Sequence, residues 1–488
     1  MVEAVSDQDQ IINKMNTLLS MSPQCQDWDT KSDKTNTSNE KSTYSIIKVD
    51  SEISEKELAH QKIGEIVATE NFVNSSMDIE PFFIANMNSV KSQYHKWMRC
   101  LPRFTPFYAV KCNNNEVVLR TLISLGTSFD CASMEEIKTI LNFGIPPRKI
   151  IYANPCKSPV HLKYAASVGV SKMTFDNADE LLKIKQYYPA AELVIRVHVD
   201  DSKSICQFGV KFGVRLGQTK PLLEMASKLG LKVIGVSFHV GSGCTDPSAY
   251  NDALKRAREV FEEGRQMGYE FSLLDIGGGF PGLSVAQNGV KIQFEDIAEV
   301  INKAMDEHFA EIKDLQLIAE PGRFFASTAF TLVTNITSRR TIETEEGPTF
   351  MYYINDGVYG SFNCLIFDHA DLPQPRFLIK NLQDFVSHTQ AEDCNDGYLS
   401  SVWGPTCDSM DCLTKAIKLP QLAVGDWLIF DNMGAYTLVA ASRFNGMNNP
   451  KVLYLDSDTE IPCLKPTYIT PYEPDQKASL IKEDFVLS

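Results

Sequence analysis

Between Phe107 and Arg323 the chain repeats one pattern eight times: a short apolar run, a turn, then a longer stretch with helical spacing. The apolar runs lie near Phe107–Lys111, Thr127–Ala132, Lys149–Pro155, Ser171–Asp176, Glu192–Asp200, Leu231–Val240, Glu270–Gly279 and Leu315–Arg323. Short continuous apolar runs bounded by turns fit parallel strands covered on both faces. Helical patterns sit between them, for example Ser133–Phe143, Ala178–Tyr188 and Pro247–Met267. Two open with capping-box spacing, Ser133 to Glu136 and Asn177 to Glu180. Several segments close at glycine, at Gly126, Gly144, Gly169, Gly230 and Gly268. Eight such units over roughly 215 residues predict a (β/α)8 TIM-like barrel.

A chain of 488 residues exceeds one ordinary core. After Phe325 helical periodicity fades, and Thr328–Ile336, Thr349–Ile354, Ser400–Trp403 and Asp426–Phe430 read as strands of a second, mainly antiparallel β domain. The expected layout is a barrel over 98–327 and a β domain over 328–474. The segment 56–97, with the strand-like Pro81–Asn86, contributes to the β domain. Residues 1–55 are rich in Ser, Thr, Asn, Asp and Lys and are expected to be a disordered tail, and 475–488 is read as a short C-terminal tail of mixed charge.

A parallel barrel gathers its strand ends into one pocket. Lys111 stands where the first run meets a polar loop, so a Schiff-base lysine of depressed pKa is one reading and a rim lysine the other. The run Asp275-Ile-Gly-Gly-Gly-Phe-Pro-Gly282 lets backbone N–H groups approach a phosphate at Gly277, Gly278 and Gly279. It also matches a dinucleotide fingerprint. That reading fails on position, since the run belongs to the seventh unit, and Pro281 blocks the helix that should follow. His239 could lie flat on an aromatic cofactor, with Ser242 beside it as a phosphate donor. Glu320 could keep a pyridine nitrogen protonated, which preserves an electron sink. Arg323 could fork onto phosphate, or simply pair with Glu320. Lysine, glycine loop and carboxylate together point to pyridoxal 5'-phosphate.

With these stretches in view, the chain resembles the eukaryotic ornithine decarboxylases, pyridoxal phosphate enzymes with an alanine-racemase-like barrel and a β domain. The matching wording includes Phe107-Tyr-Ala-Val-Lys-Cys-Asn113, Ile151-Tyr-Ala-Asn-Pro-Cys-Lys157, Gly235-Val-Ser-Phe-His-Val-Gly-Ser-Gly-Cys244 and Ala319-Glu-Pro-Gly-Arg323. In the second domain it includes Asn355-Asp-Gly-Val-Tyr-Gly360, Trp403-Gly-Pro-Thr-Cys-Asp408 and Gly434-Ala-Tyr-Thr437. The resemblance implies that Lys111 bonds to the cofactor aldehyde, Glu320 meets the ring nitrogen and His239 stacks on the ring. It gives the phosphate to Ser242, Gly277–Gly279, Arg323 and Tyr436, and a polar network below the site to Asp130, Glu136 and Arg196. Asp368 and Asp408 would take the distal amine of a diamino acid, and Cys407 would return a proton to Cα. Tyr359, Cys407 and Asp408 would come from the partner of a homodimer with shared sites. The regulator antizyme would bind the surface near Pro159–Lys185, where Lys163, Lys172, Lys183 and Lys185 cluster.

The implied activity is decarboxylation of L-ornithine to putrescine, the first step of polyamine synthesis. A broader lysine/ornithine decarboxylase and an inactive antizyme-binding homologue are the rivals. The inactive relatives have lost cofactor contacts that stand here at Lys111, Asp130, Arg196, Arg323, Asp368 and Asp408. Phe367 replaces a tyrosine common among relatives, and the wording Val197–Gly209 is unusual.

Charge and cysteine usage set outer limits. Net charge is −15, from 47 basic and 62 acidic residues, which argues against nucleic acid and anionic membrane as partners. Twelve cysteines without a C-x-x-C pair argue for free thiols, a cytoplasmic setting and no metal site.

Overall fold

The computed structural model describes residues 46–48, 59, 61–67, 80–215, 217–283, 285–287, 290–379 and 397–456. Most of the two expected tails lies outside these residues. One part of the N-terminal stretch is ordered after all: Ile46–Lys48 pairs in parallel with Tyr454–Asp456.

Eight parallel strands close a barrel: Thr105–Ala109, Ser128–Cys131, Ile150–Tyr152, Lys172–Phe175, Glu192–Arg196, Lys232–Ser237, Leu273–Asp275 and Gln316–Ala319. The last closes onto the first, with Ile318 opposite Thr105. Phe107, Ile151, Val194, Ile234, Leu273 and Ile318 form one buried cluster, each contributed by a different strand. These side chains fill the barrel, so its centre is a packed core and not a pore.

The helices follow the expected pattern closely, at Met134–Asn142, Ala178–Tyr187 and Ser248–Gln266 among others. Gly169 caps its helix at φ 75°, where a Cβ would be strained. The two expected capping boxes are only half formed. Ser133 Oγ accepts from Glu136 N, but the Glu136 carboxylate accepts from Ala132 N at 2.6 Å instead of closing the box. Asn177 caps Glu180 N likewise, while the Glu180 carboxylate turns to the buried Lys157 at 2.9 Å. A fully buried ammonium needs that charge more than a helix end does.

The helix Met87–Cys100 locks onto the last unit through Trp97. Its buried ring packs on Phe280, Phe294, Phe324 and Phe325, and its Nε1 donates to Phe104 O at 2.9 Å. Directly before this helix, Phe82–Asn86 joins the second sheet.

That sheet has nine strands and is mainly antiparallel. Its spine is Phe330–Thr344, which pairs with Phe82–Asn86, Gly347–Ile354 and Trp427–Phe430. The spine runs beyond the expected Ile336. Its first seven residues are buried and its last eight exposed. The exposed half carries polar and charged residues that mask strand character in a one-dimensional reading, and its hairpin partner holds it.

Candidate active site

The residues singled out by sequence sort into two groups. Lys111, Arg196, His239, Ser242, Glu320, Asp368 and Tyr436 line one cavity of about 510 Å³ at the ends of the barrel strands. Cys407 and Asp408 line a different one, of about 780 Å³, beside Arg339 and Trp403 in the β domain.

Lys111 does not continue the first strand. The strand stops at Ala109, whose N–H donates to Pro321 O, and Lys111 sits in the single 3-10 turn Val110–Cys112. Its ammonium pairs with the fully buried Asp130. Burial pushes its pKa down, but the charges of Asp130 and Glu320 and the Tyr436 phenol outweigh this and leave it raised. The expectation of a depressed pKa is therefore corrected for the site as it stands. Asp130 Oδ1 has no hydrogen-bond partner among the described residues.

Glu320 follows the last strand and leaves Oε1 without a partner among the described residues. Burial, then the charges of Asp275 and Asp130, raise its pKa well above the ordinary carboxylate value. Burial pushes Asp275 up to about 7. Asp275 was missed in the sequence, although an acid inside an otherwise apolar strand was a visible signal. Arg196 lies over the Phe212 ring at 5.0 Å, its pKa lowered by burial against the pull of Glu320, Asp176, Asp275 and Asp130. Glu136 stays turned toward Ala132 N, with its pKa raised by burial.

His239 accepts from Gly241 N on Nδ1 at 3.0 Å and meets Phe208 edge-on at 4.9 Å. Burial, then Arg196 and Lys111, hold its pKa well below the usual imidazole range, so it is neutral. The glycine run wraps closely around it. A Cβ on Gly278 would stand 2.9 Å from His239 Nε2, and one on Gly277 would stand 2.2 Å from Phe238 O. Only glycine fits there.

Arg323 does not pair with Glu320. Its NH2 reaches Asp368 Oδ1 at 2.7 Å and Ser242 Oγ at 3.1 Å, and its guanidinium lies 5.1 Å from the Tyr436 ring centre. Burial lowers its pKa, the Asp368 bond and charge raise it, and the net effect is upward. Tyr436 is held at φ 56°, a left-handed backbone that costs a non-glycine residue about 1–3 kcal/mol and recurs at functional sites. Its N–H donates to Cys112 O, which ties the β domain to the turn carrying Lys111. Cys206, also missed in the sequence, donates to Asp368 O at 3.4 Å.

Across the β domain, Tyr359 Oη donates to Asp408, and Asp408 Oδ1 accepts from Met410 N at 2.9 Å. Those hydrogen bonds hold the Asp408 pKa below its ordinary value. The Tyr359 ring stacks on Phe444 at 4.5 Å, and Cys407 is exposed. None of these three residues lines the Lys111 cavity.

Pyridoxal phosphate fits the groups that are present. A protonated ring nitrogen supplies the donor that Glu320 Oε1 lacks. Arg323, Ser242 and Tyr436 converge at one end of the cavity for a phosphate, and Lys111 stands ready for an aldehyde.

Known proteins agree with this geometry. Residues 87–327 match the model of the pyridoxal-dependent decarboxylase, pyridoxal binding domain. Ornithine decarboxylase of Rattus norvegicus is 45% identical over 412 residues, covering 82% of this chain and 85% of the rat protein. Antizyme inhibitor 2 of Xenopus laevis is 47% identical over 405 residues, covering 81% of this chain and 85% of that protein. The crystal structure of the arginine decarboxylase of Paramecium bursaria Chlorella virus superposes with a TM-score of 0.72 at 34% identity, over 81% of this chain and 99% of that one. With Lys111 and the buried Glu320 lining one cavity at the mouth of a closed barrel, and with this degree of likeness over most of its length, the chain belongs to the pyridoxal-dependent decarboxylases, in the ornithine decarboxylase family.

Proposed function

We propose that this protein decarboxylates L-ornithine to putrescine and carbon dioxide, supplying the first step of polyamine synthesis. The observation that carries the reading is the placement of the carboxylate Asp368 in the same cavity as Lys111 and Glu320. An amino acid whose α-nitrogen took the place of Lys111 at the cofactor would extend its side chain toward that acid. A distal ammonium satisfies Asp368, whereas an apolar side chain leaves a buried charge unpaired.

A bound pyridoxal phosphate supplies an electron sink for the pair released when the carboxylate leaves. The rest is work for the protein. Lys111 must lose a proton before its nitrogen can act as a nucleophile, and its pairing with Asp130 would hold it in place until then. Glu320 would face the ring nitrogen, where a carboxylate favours the protonated ring. Neutral His239 covers the ring face without adding charge. Glycines 277–279, Ser242, Tyr436 and Arg323 hold the phosphate. Arg196 and Glu136 set the charge of the floor beneath.

Asp408, Tyr359 and Cys407 complete the site from the partner in a homodimer. Asp408 adds a second carboxylate for the distal ammonium, and Cys407 donates a proton to Cα after carbon dioxide has left. Their separation from the Lys111 cavity within one protomer supports this reading. The nine described cysteines are all free, which supports a reducing, cytoplasmic setting.

A second reading, a regulator without activity, draws support from the 47% identity to antizyme inhibitor 2. The intact Lys111, Asp130 and Glu320 constellation weighs against it. Antizyme itself is proposed as a partner at the helices Pro159–Val168 and Ala178–Tyr187. There Lys185 is exposed, while Lys183 is drawn to Glu180 and Lys163 lies over Tyr187. A protein that stays dimeric and active in excess cognate antizyme would dismiss that partner.

The test of function is carbon dioxide release from L-ornithine, L-lysine and L-arginine in parallel, with and without pyridoxal phosphate. Cofactor-dependent release that strongly favours ornithine supports the proposal. Comparable release from lysine moves it to a broader decarboxylase, and no release from a folded dimer supports the regulator.

A further inference from the structure

The two ends of the proposed site share one side chain. Arg323 stands where a phosphate would be held, between Ser242 and Tyr436, yet its shortest bond runs to Asp368 at 2.7 Å. Asp368 is the acid assigned to the substrate's distal ammonium, and it is buried, with 8% of its surface exposed. Its nearest other polar contact is the weakly donating Cys206 thiol. With Arg323 in this pose, a second cation at Asp368 would meet an adjacent guanidinium and a carboxylate already neutralised. A phosphate at Ser242 and Tyr436 would compete with Asp368 for the same donor.

We propose that Arg323 is a switch shared by the two subsites: a phosphate-bearing cofactor draws it from Asp368 and thereby makes Asp368 available to a diamino acid. The inference rests on the assignment of this cavity to pyridoxal phosphate and a diamino acid. Its physical basis is that a buried carboxylate does not stay uncompensated. When the phosphate takes the guanidinium, Asp368 needs another cation, and the substrate provides one. Phosphate and distal ammonium therefore favour each other's binding, and linkage requires the factor to be the same in both directions. Binding becomes ordered, with the cofactor first. An empty site keeps its charges paired internally and does not trap free diamines.

The switch has a consequence opposite to that of a mere orienting contact. If Asp368 competes for Arg323, removing its charge must tighten phosphate binding. If Asp368 only holds Arg323 in a phosphate-ready pose, removing its charge must loosen it.

The experiment measures equilibrium binding to the full-length protein after its cofactor has been removed. The ligands are pyridoxal phosphate and, as a phosphate-free control, pyridoxal, titrated by absorbance into wild type and Asp368→Asn. The expected result is Kd for pyridoxal phosphate lowered about fivefold or more in Asp368→Asn, with Kd for pyridoxal unchanged. A second measurement uses the wild type alone and so survives a misfolded variant. Putrescine is titrated calorimetrically with and without saturating inorganic phosphate, and then inorganic phosphate with and without saturating putrescine. Each should tighten the other by one common factor. Weaker pyridoxal phosphate binding in Asp368→Asn, equal changes for both aldehydes, or putrescine binding indifferent to phosphate would overturn the switch. Any of these in a protein that still binds pyridoxal phosphate and decarboxylates ornithine overturns the switch alone. A wild type that binds no pyridoxal phosphate overturns the functional reading as well.

Discussion

At the barrel mouth the chemically capable groups crowd around buried carboxylates: Lys111 pairs with Asp130, Arg323 with Asp368, and Glu320 shares the strand ends with Asp275. Around Cys407 in the β domain the same kinds of group lie open, with Asp408 tied only to Tyr359 and to a neighbouring backbone N–H. The first region draws its groups from one chain, and its low-polarity setting shifts pKa values strongly. The second has side chains capable of chemistry but no enclosure to make them effective. Burial therefore separates a site that can hold a cofactor from a surface that needs another surface to act.

Lys111→Ala should break the first region most severely. It should abolish ornithine-dependent carbon dioxide release and the visible absorbance of the bound cofactor, and persistence of both would refute the role of Lys111. Cys407→Ala should then lower kcat by about 10²–10⁴-fold with little change in KM, the size expected for a lost proton donor. Mixing the two inactive variants sharpens the comparison further. If the sites are shared, random reassortment restores about one quarter of wild-type activity, because half the dimers carry one intact site. A mixture as inactive as its parents would mean that Lys111 and Cys407 serve a site built by one protomer, against a shared site.

Away from the chemistry, Trp97→Ala should cost about 3–5 kcal/mol of stability in urea unfolding, since a buried indole leaves a large cavity. Val424→Ser, at a position 58% exposed, should shift stability by less than about 0.5 kcal/mol. A separate effect concerns pH. Asp275 has its folded pKa raised from the usual carboxylate value to about 7. Between about pH 4 and about 7 the folded state therefore binds more protons at this group than the unfolded state, and its contribution to stability falls as pH rises. Asp275→Asn does not titrate, so the cofactor-free variant should gain stability relative to wild type across that window and match it most closely near pH 4. Parallel stability curves for the two proteins would show that Asp275 ionises normally.

The barrel and the positions of its reactive residues were legible because both depend on local spacing. Apolar runs, capping residues and glycines mark where each strand ends, and in a parallel barrel all strand ends share one face. Lys111, His239, the run Gly277–Gly279 and Glu320 could be read for that reason. The exposed half of Phe330–Thr344 was not legible, since cross-strand pairing rather than its own composition makes it a strand. The unfinished capping boxes teach the same lesson: the spacing was right, but the Glu180 carboxylate was needed by a lysine 23 residues earlier in the chain.

By itself the sequence determined the fold class and marked the residues proposed to handle pyridoxal phosphate, both of which follow from residue type and short-range order. Only the tertiary structure decided that Arg323 pairs with Asp368 and not with its near neighbour Glu320, that Lys111 carries a raised pKa, and that Cys407 stands apart from the lysine. Charge pairing and desolvation depend on distances through space between segments far apart in the chain, and spacing along the chain does not encode them.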